Sequence, residues 1–371
     1  MDGKSNCETL NPEIRKIRLD ELGAFIQSDE FRQFSHIPIS YSRAKSYLEN
    51  PKGNPGDVVL ILALLNNKLV AFRSLFADEI QTEKEKIRFG WCSGNWVHPD
   101  FRRKGISKLL LEAAYSAWNG KLMFTNYAPE SEKLYLKTGW FRPIHQFEGV
   151  RAYLFPKTGK LLAGARRNRF SKWIFSLVDF CIASYSNLRI NFFRQSKNAE
   201  IQFEIAGKPD EETLNFAEKF RENFVFGQGE KALKWIFDYP WISDENREVA
   251  KKYPFSSCSN AFRYHAVKIW QQNEWRGVFI FSVRDGQLKT LFFWNVNGLE
   301  KELAQFLKWY SVKHKLEMLT VYHPGVSKLL LKYRFPFLHV RKYGQKIYSS
   351  FDIPEFDKIH FQDGEGDVVF T

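Results

Sequence analysis

The stretch Trp96-Val-His-Pro-Asp-Phe-Arg-Arg-Lys-Gly-Ile-Ser107 has the residue types and spacing of an anion cradle. A strand pattern stops at Pro99, three cations follow at Arg102, Arg103 and Lys104, and Gly105 precedes a strongly amphipathic helix. A helix start presents unpaired backbone N–H groups and the positive end of the macrodipole. Gly105 lets the backbone approach a ligand closely, and the three side chains add charge beside those amides. The combination suits a pyrophosphate, with Trp96, Val97, Ile106 and Ser107 flanking it. Taken alone, the same residues also fit a basic turn ahead of a surface helix, so the surrounding elements must decide.

With Val97 and Pro99 ahead of it, Arg102-Arg-Lys-Gly105-Ile-Ser107 resembles the acetyl-coenzyme A signature of the GNAT acetyltransferase superfamily. That signature is an Arg or Gln, two residues, Gly, one residue, then Gly or Ala; Ser107 departs from its last position. In GNAT proteins it follows the fourth strand, opens the third helix, and precedes a strand and a helix bearing Tyr shortly before a Gly-aromatic pair. Leu134-Tyr135-Leu-Lys-Thr-Gly139-Trp140 stands where that element belongs, and the resemblance extends over residues 12 to 155. It implies acetyl-coenzyme A as cofactor and acetyl transfer to a primary amine; the basic charge and the aromatic content point to a small, anionic or sugar-like substrate. A backbone N–H near Asn95 to Val97, at the splayed end of the fourth strand, would meet the thioester carbonyl. Tyr135 would protonate the departing thiolate. A primary amine must also lose a proton, at a cost of about 4 kcal/mol at neutral pH. Many GNAT enzymes use a carboxylate on the fourth strand, yet Ile87 to Val97 contains none. Asp78 and Glu79 on the preceding strand, or a chain of waters, remain as bases; His98 and Cys92 read as structural.

The elements that must position these groups follow from periodicity. Strands are expected at Ile14 to Leu19, Val58 to Leu65, Lys68 to Phe76 and Ile87 to Val97, with Asn66-Asn67 as a hairpin turn. Helices are expected from Asp20 and over Tyr41 to Asn50. Ile106, Leu109, Leu110, Ala113, Ala114, Ala117 and Trp118 share one helical face, which Asn119-Gly120 ends. A short strand at Leu122 to Tyr127, a Pro129-opened helix and two strands, Trp140 to His145 and Val150 to Phe155, complete the unit. The later chain reads as a strand at Ile201 to Ile205, a helix at Glu211 to Asn223, and paired strands from Tyr264 to Val296.

Shifting the chain by 195 residues lays Tyr115-Ser116 on Tyr310-Ser311, Met123 on Met318, Thr125 on Thr320, Tyr127 on Tyr322 and Pro129 on Pro324. This internal repeat implies a second copy of the unit. Its helix start carries Asn297, Glu300 and Glu302 where the first has Arg102, Gly105 and Ser107, and two carboxylates there repel a pyrophosphate. The fold class expected is α/β (α+β), with two GNAT-type domains, each a central mixed sheet flanked by helices. The division is a catalytic domain at 1–156, a basic helical linker at 157–199 and a degenerate copy at 200–371. Fem-type aminoacyltransferases have this tandem architecture, so aminoacyl transfer from tRNA is one alternative. A non-catalytic acyl-coenzyme A-binding protein is another, favoured by the missing strand carboxylate.

Composition bounds the partners. The net charge of +13 demands an acidic partner or environment, and coenzyme A supplies one without nucleic acid. The basic stretch 157–183, with Trp173, fits contact with an anionic membrane or a helix wedged between domains. Four scattered cysteines without a CxxC pair point to a reducing, cytoplasmic setting, and no histidine spacing suggests a metal. Gly227-Gln-Gly229 partly matches a dinucleotide fingerprint, and Asp363-Gly-Glu365-Gly-Asp367 has calcium-loop spacing at its start but reads as an acidic terminal turn. Trp235, Trp241, Trp270 and Trp294 fit either the second core or a shared amine cleft.

Overall fold

The computed structural model describes residues 11–82, 85–126, 129–158, 169–194, 200–243, 251–353 and 360–370. Strand β1 (Glu13–Arg18) leads into helices α1 (Leu19–Gln27), α2 (Asp29–Gln33) and α3 (Tyr41–Leu48). The antiparallel meander β2 (Val58–Leu65), β3 (Lys68–Gln81) and β4 (Lys86–Val97) follows, then α4 (Ile106–Ala117), β5 (Leu122–Thr125), α5 (Pro129–Lys137) and β6 (Arg142–Tyr153). The long helix α6 (Arg169–Asn191) connects to β7 (Ile201–Ile205), α7 (Glu211–Glu218) and α8 (Glu230–Asp238). A second meander, β8 (Phe262–Gln271), β9 (Glu274–Arg284) and β10 (Gln287–Trp294), precedes α9 (Glu300–Lys313), β11 (Met318–Val321), α10 (Pro324–Lys332) and β12 (His339–Ser349).

The repeat is real in three dimensions. A shift of 195 residues carries α5 onto α10 end to end, each opened by its proline, because Pro has no N–H to lose at a helix start. In both copies the third meander strand pairs in parallel with the next strand, β4 with β5 and β10 with β11. All twelve strands form one sheet, in the order β1-β2-β3-β4-β5-β12-β6-β11-β10-β9-β8-β7. Each half thus lends its last strand to the other: β12 pairs with β5, and β6 pairs with β11. The division expected near residue 156 is one of chain order; the sheet runs through it.

This exchange accounts for one departure from expectation. Periodicity gives two strands between Trp140 and Phe155, and the structure has a single strand of 12 residues. It has to run the whole length of β12, from Arg142 beside Ser349 to Tyr153 beside His339. The helix expected at 211–223 stops at Glu218, and a 3-10 turn covers Arg221–Asn223. The glycines at 227 and 229 serve α8, where the Glu218 carboxylate accepts from the Glu230 backbone N–H at 2.7 Å. The protein's own anion sits at that helix start, so a dinucleotide phosphate has no place there.

The acidic tail is buried rather than solvated. Asp363 accepts from the Thr290 hydroxyl at 2.5 Å and the Tyr322 N–H at 2.9 Å, and burial pushes it up to about 7. Glu365 is pushed up to about 8, first by burial and then by Asp78 nearby. Among the described residues no cluster suits a metal ion. A carboxyl raised above its unfolded value of about 4.5 holds a proton in the native state only, so stability falls as pH climbs from about 4.5 towards 8. Glu365→Gln cannot ionise. The excess of its melting temperature over wild type should therefore widen steadily from pH 5 to pH 8 in thermal melts; a constant offset would mean that Glu365 is already charged.

Candidate active site

The cavity arises where two strands part. Leu75 faces Cys92 and Ser74 faces Gly94, so Ser93 is an extra residue that bulges β4. Pairing of β4 with β5 is confined to Gly90–Leu122 and Trp91–Met123. Past that point the strands diverge around a space of about 360 Å³. The splay thus begins several residues before the Asn95 to Val97 end where it was expected. Cys92 to Asn95, Thr125, Glu132 and Tyr135 line it from the first half; Trp241, Tyr253, Arg284 and Asp367 line it from the second. A neighbouring space of about 860 Å³ is lined by Asn95, Trp96, Val97, Arg102, Arg103 and Gly105 to Lys108. Asn95, Ser131 and Phe255 belong to both walls, so the two are contiguous.

The larger space has the features of a phosphate cradle. Gly105 caps α4 at φ 82°, a left-handed conformation that suits glycine, and nothing lies within 4 Å of where a Cβ would stand. Arg103 also has positive φ, at 62°. The departure at Ser107 has a structural use: the Asn95 side-chain amide donates to its hydroxyl at 2.9 Å, fastening the end of β4 to the start of α4. Arg102 Nε reaches the Val97 carbonyl at 3.2 Å, and Lys104 lies over the Phe101 ring, outside the lining. The Trp96 indole stacks on Phe72 and His36. Residues present therefore fit a coenzyme A pyrophosphate. In the second copy the Glu300 side chain folds over Gly325 at the start of α10, where a Cβ would come within 2.5 Å of it.

Tyr135 lies at the floor of the smaller space. Its ring stacks on Phe124 at 4.1 Å, and its hydroxyl accepts from Arg73 Nη1 at 2.5 Å. Burial pushes the hydroxyl up while Arg73 pulls the other way, so it stays protonated at neutral pH. Arg73 is fully buried, and its Nε and Nη2 find no hydrogen-bond partner among the described residues.

Asp78 does not join this group. It lies further along β3, its two oxygens held by Lys52 Nζ at 2.5 Å and Trp91 Nε1 at 2.8 Å. Glu79, beside it, pairs with Lys86. The carboxylates that do face the cavity are Glu132 and Asp367. Glu132 accepts from the Tyr348 hydroxyl at 2.5 Å. Burial pushes Asp367 up to about 6, against the pull of Arg43 and Lys289. Sequence reasoning passes over Asp367, although three acids spaced by glycine and followed by Val-Val-Phe370 are the pattern of a tail that packs inward. Two of the four tryptophans singled out above also reach across: Trp235 and Trp241 donate to the carbonyl and hydroxyl of Ser46 on α3. Trp294 is buried in the same core, and Trp270 stacks on Trp275.

Residues 20–140 match the acetyltransferase (GNAT) family. The match spans this third of the chain, which includes the whole splay and cradle, and the elements of that third recur in the second half. Solved structures agree on the fold. One of N-myristoyltransferase from Saccharomyces cerevisiae with bound myristoyl-CoA is similar at TM-score 0.52 and 11% identity, over 92% of this chain and 79% of that one. Another of the same enzyme with myristoyl-CoA gives 0.50 at 10%, over 95% and 88%. A tandem GNAT protein from the clavulanic acid biosynthesis pathway gives 0.48 at 10%, over 92% and 100%. Among curated proteins, none matches the chain in sequence.

Arg43 holds this site together across the halves. Its guanidinium donates to Tyr47 at 3.0 Å, Tyr253 at 2.7 Å and the Ser93 bulge carbonyl at 2.9 Å, and lies 3.9 Å from the Trp241 ring centroid. Arg43→Lys keeps the charge but cannot satisfy all three acceptors. It should lower unfolding free energy by about 2 kcal/mol, read from the shift in the urea midpoint. An unchanged midpoint would show that the junction does not depend on the guanidinium fork.

Proposed function

We propose that this chain transfers an acetyl group from acetyl-coenzyme A to a primary amine of a small molecule, with Tyr135 as proton donor and Asp367 as proton acceptor. The observation that carries the reading is the pair itself. A hydroxyl kept protonated and a carboxyl pushed up only to about 6 face one cavity between the parted strands. Groups whose environments hold them in opposite protonation states at neutral pH suit acid and base roles.

Arg102, Arg103 and the first amides of α4 would hold the pyrophosphate, with Lys104 adding charge at the rim and Trp96, Val97, Ile106 and Ser107 walling the cradle. When bound, the coenzyme supplies a thioester whose carbonyl accepts the amine and whose sulfur leaves. A backbone N–H along Asn95 to Val97 would donate to that carbonyl oxygen. Glu132 and Asp367 attract the amine as ammonium, and ionised Asp367 takes its proton. Tyr135 protonates the sulfur, while Arg73 steadies the phenol oxygen. Arg284 on the same wall suits an anionic or sugar-like acceptor. Asp78, neutralised by Lys52, has no path to the amine. The acid–base pair favours turnover over a binding-only role, and no nucleic acid is required as donor. Cys92 and Cys181 are free thiols, in keeping with a cytoplasmic setting.

Asp367→Asn should lower kcat at least about a hundredfold with little change in coenzyme A affinity. In wild type kcat/KM should rise as pH passes about 6, where Asp367 ionises, and level off above. A variant that keeps both the rate and the rising limb would remove Asp367 from the mechanism. Separately, calorimetry should find one coenzyme A per chain, since Glu300 closes the second helix start. Gly105→Glu should abolish that binding and Gly105→Asn, which tolerates positive φ, should retain most of it. Two equivalent sites, or undiminished binding to Gly105→Glu, would show that the cradle lies elsewhere.

A further inference from the structure

We propose that α6 docks this protein on an anionic lipid bilayer surface, an activity beyond acyl transfer. The helix is fastened on its inward side to the chain just after β6 and to the second half, with Ile190 packed on the core and polar side chains bonding around it. Ser186 donates to the Leu154 carbonyl at 2.6 Å. Arg189 donates to the carbonyls of Pro336 and Phe337 at 3.1 and 3.2 Å. Asp179 accepts from Thr158 N–H and hydroxyl at 2.7 and 2.8 Å. What faces outward is apolar: Leu177, Phe180, Tyr185, Leu188 and Phe192 are 50%, 69%, 54%, 56% and 71% exposed.

At spacings of three, five, three and four residues they fall on one side of the helix, with Ser184 and Asn191 exposed among them. A surface helix normally turns charge to solvent, so this many exposed apolar side chains mark a contact face. Phe335, beside Phe193, is also exposed and extends the patch.

Charge identifies the partner. Residues 157–199 hold nine basic residues and one acid, Asp179, which is turned inward onto Thr158; of the nine, Lys157 pairs with Glu317 and Arg189 turns to the second half. Aromatic and aliphatic side chains beside a strongly basic segment are what an interfacial helix needs to enter an anionic headgroup layer. A second copy docked on the same face would bring two such segments together and repel. Among the described residues no helix is long and apolar enough to cross a membrane, so the helix would lie in the surface plane.

The test uses the full chain and vesicles of phosphatidylcholine with or without phosphatidylserine, separated by sedimentation. The bound fraction should be about tenfold higher on anionic vesicles at low salt and fall steeply at high salt. Phe180→Ser and Leu188→Ser, at exposed positions, should each weaken anionic-vesicle binding about tenfold while the melting temperature holds. Phe180→Leu should restore most of it. Equal binding to neutral vesicles, or wild-type binding by both serine variants, would overturn the proposal. So would a lipid-free dimer that Phe180→Ser dissociates, which would assign the face to a second copy.

Discussion

The antiparallel ladder between β6 and β12 is the constraint on which the rest of this structure depends. Without it, β5 and β11 would be open edges, each with a row of unpaired backbone groups. With it, two meanders that could have been separate domains become one sheet. The ladder also fixes where the chain goes next. Because β12 ends at Ser349 beside Met123 on β5, the chain leaves the sheet on the first half's side. The tail then runs between the halves: Gln362 and Asp363 bond to Phe293 and Thr290 of β10, and Phe370 stacks on Trp241 and sits edge-on against Phe76. Asp367 reaches the splay of β4 and β5 as a consequence of strand order.

Charge burial at this junction follows one pattern. Arg43 and Arg73 are buried, yet neither has a carboxylate in direct contact; two tyrosines and a strand carbonyl accept from Arg43, and Arg73 donates to Tyr135 alone among the described residues. A buried cation left with neutral acceptors keeps much of its field, where a salt bridge would cancel it. That residual field acts on neighbours that titrate. Arg43 draws Asp367 down against burial, and Arg73 does the same for Tyr135. Lys52 and Asp78 show the contrast, since their direct contact pairs the two charges and braces the strand. The like charge of Asp78 then helps to keep Glu365 protonated.

Legibility in the sequence tracks the range of the interactions. The strand end, the basic turn and the α4 start lie within twelve consecutive residues, and local rules place them correctly. The second copy is legible because its elements keep the same spacing, down to Pro129 and Pro324. Two things are not. Nothing local distinguishes a strand that serves one sheet from one that bridges two, so β6 reads as two short pieces. A carboxylate's environment is likewise set by whatever packs on it, so in sequence Asp78 looks nearer to the parted strands than Asp367, which lines the cavity. Ser107 stands apart as a departure from a signature until its partner, Asn95, gives it a purpose.

The same geometry bears on why a copy without a phosphate cradle persists. The second half closes its own helix start with Glu300, but it supplies Trp241, Tyr253, Arg284 and Asp367 to the wall of the first half's cavity. It also supplies β12, the strand that covers β5, and the tryptophans that tie α8 and the turn after it to α3. Losing coenzyme contacts there costs nothing that these roles require, whereas losing the sheet or the tail would dismantle the cavity. The two copies therefore hold different parts of one site. The first carries the basic turn and helix start and splays its strands, and the second completes the space between them. A first half alone is then an incomplete fold with an open edge at β5, because the strand that seals it is encoded two hundred residues further on.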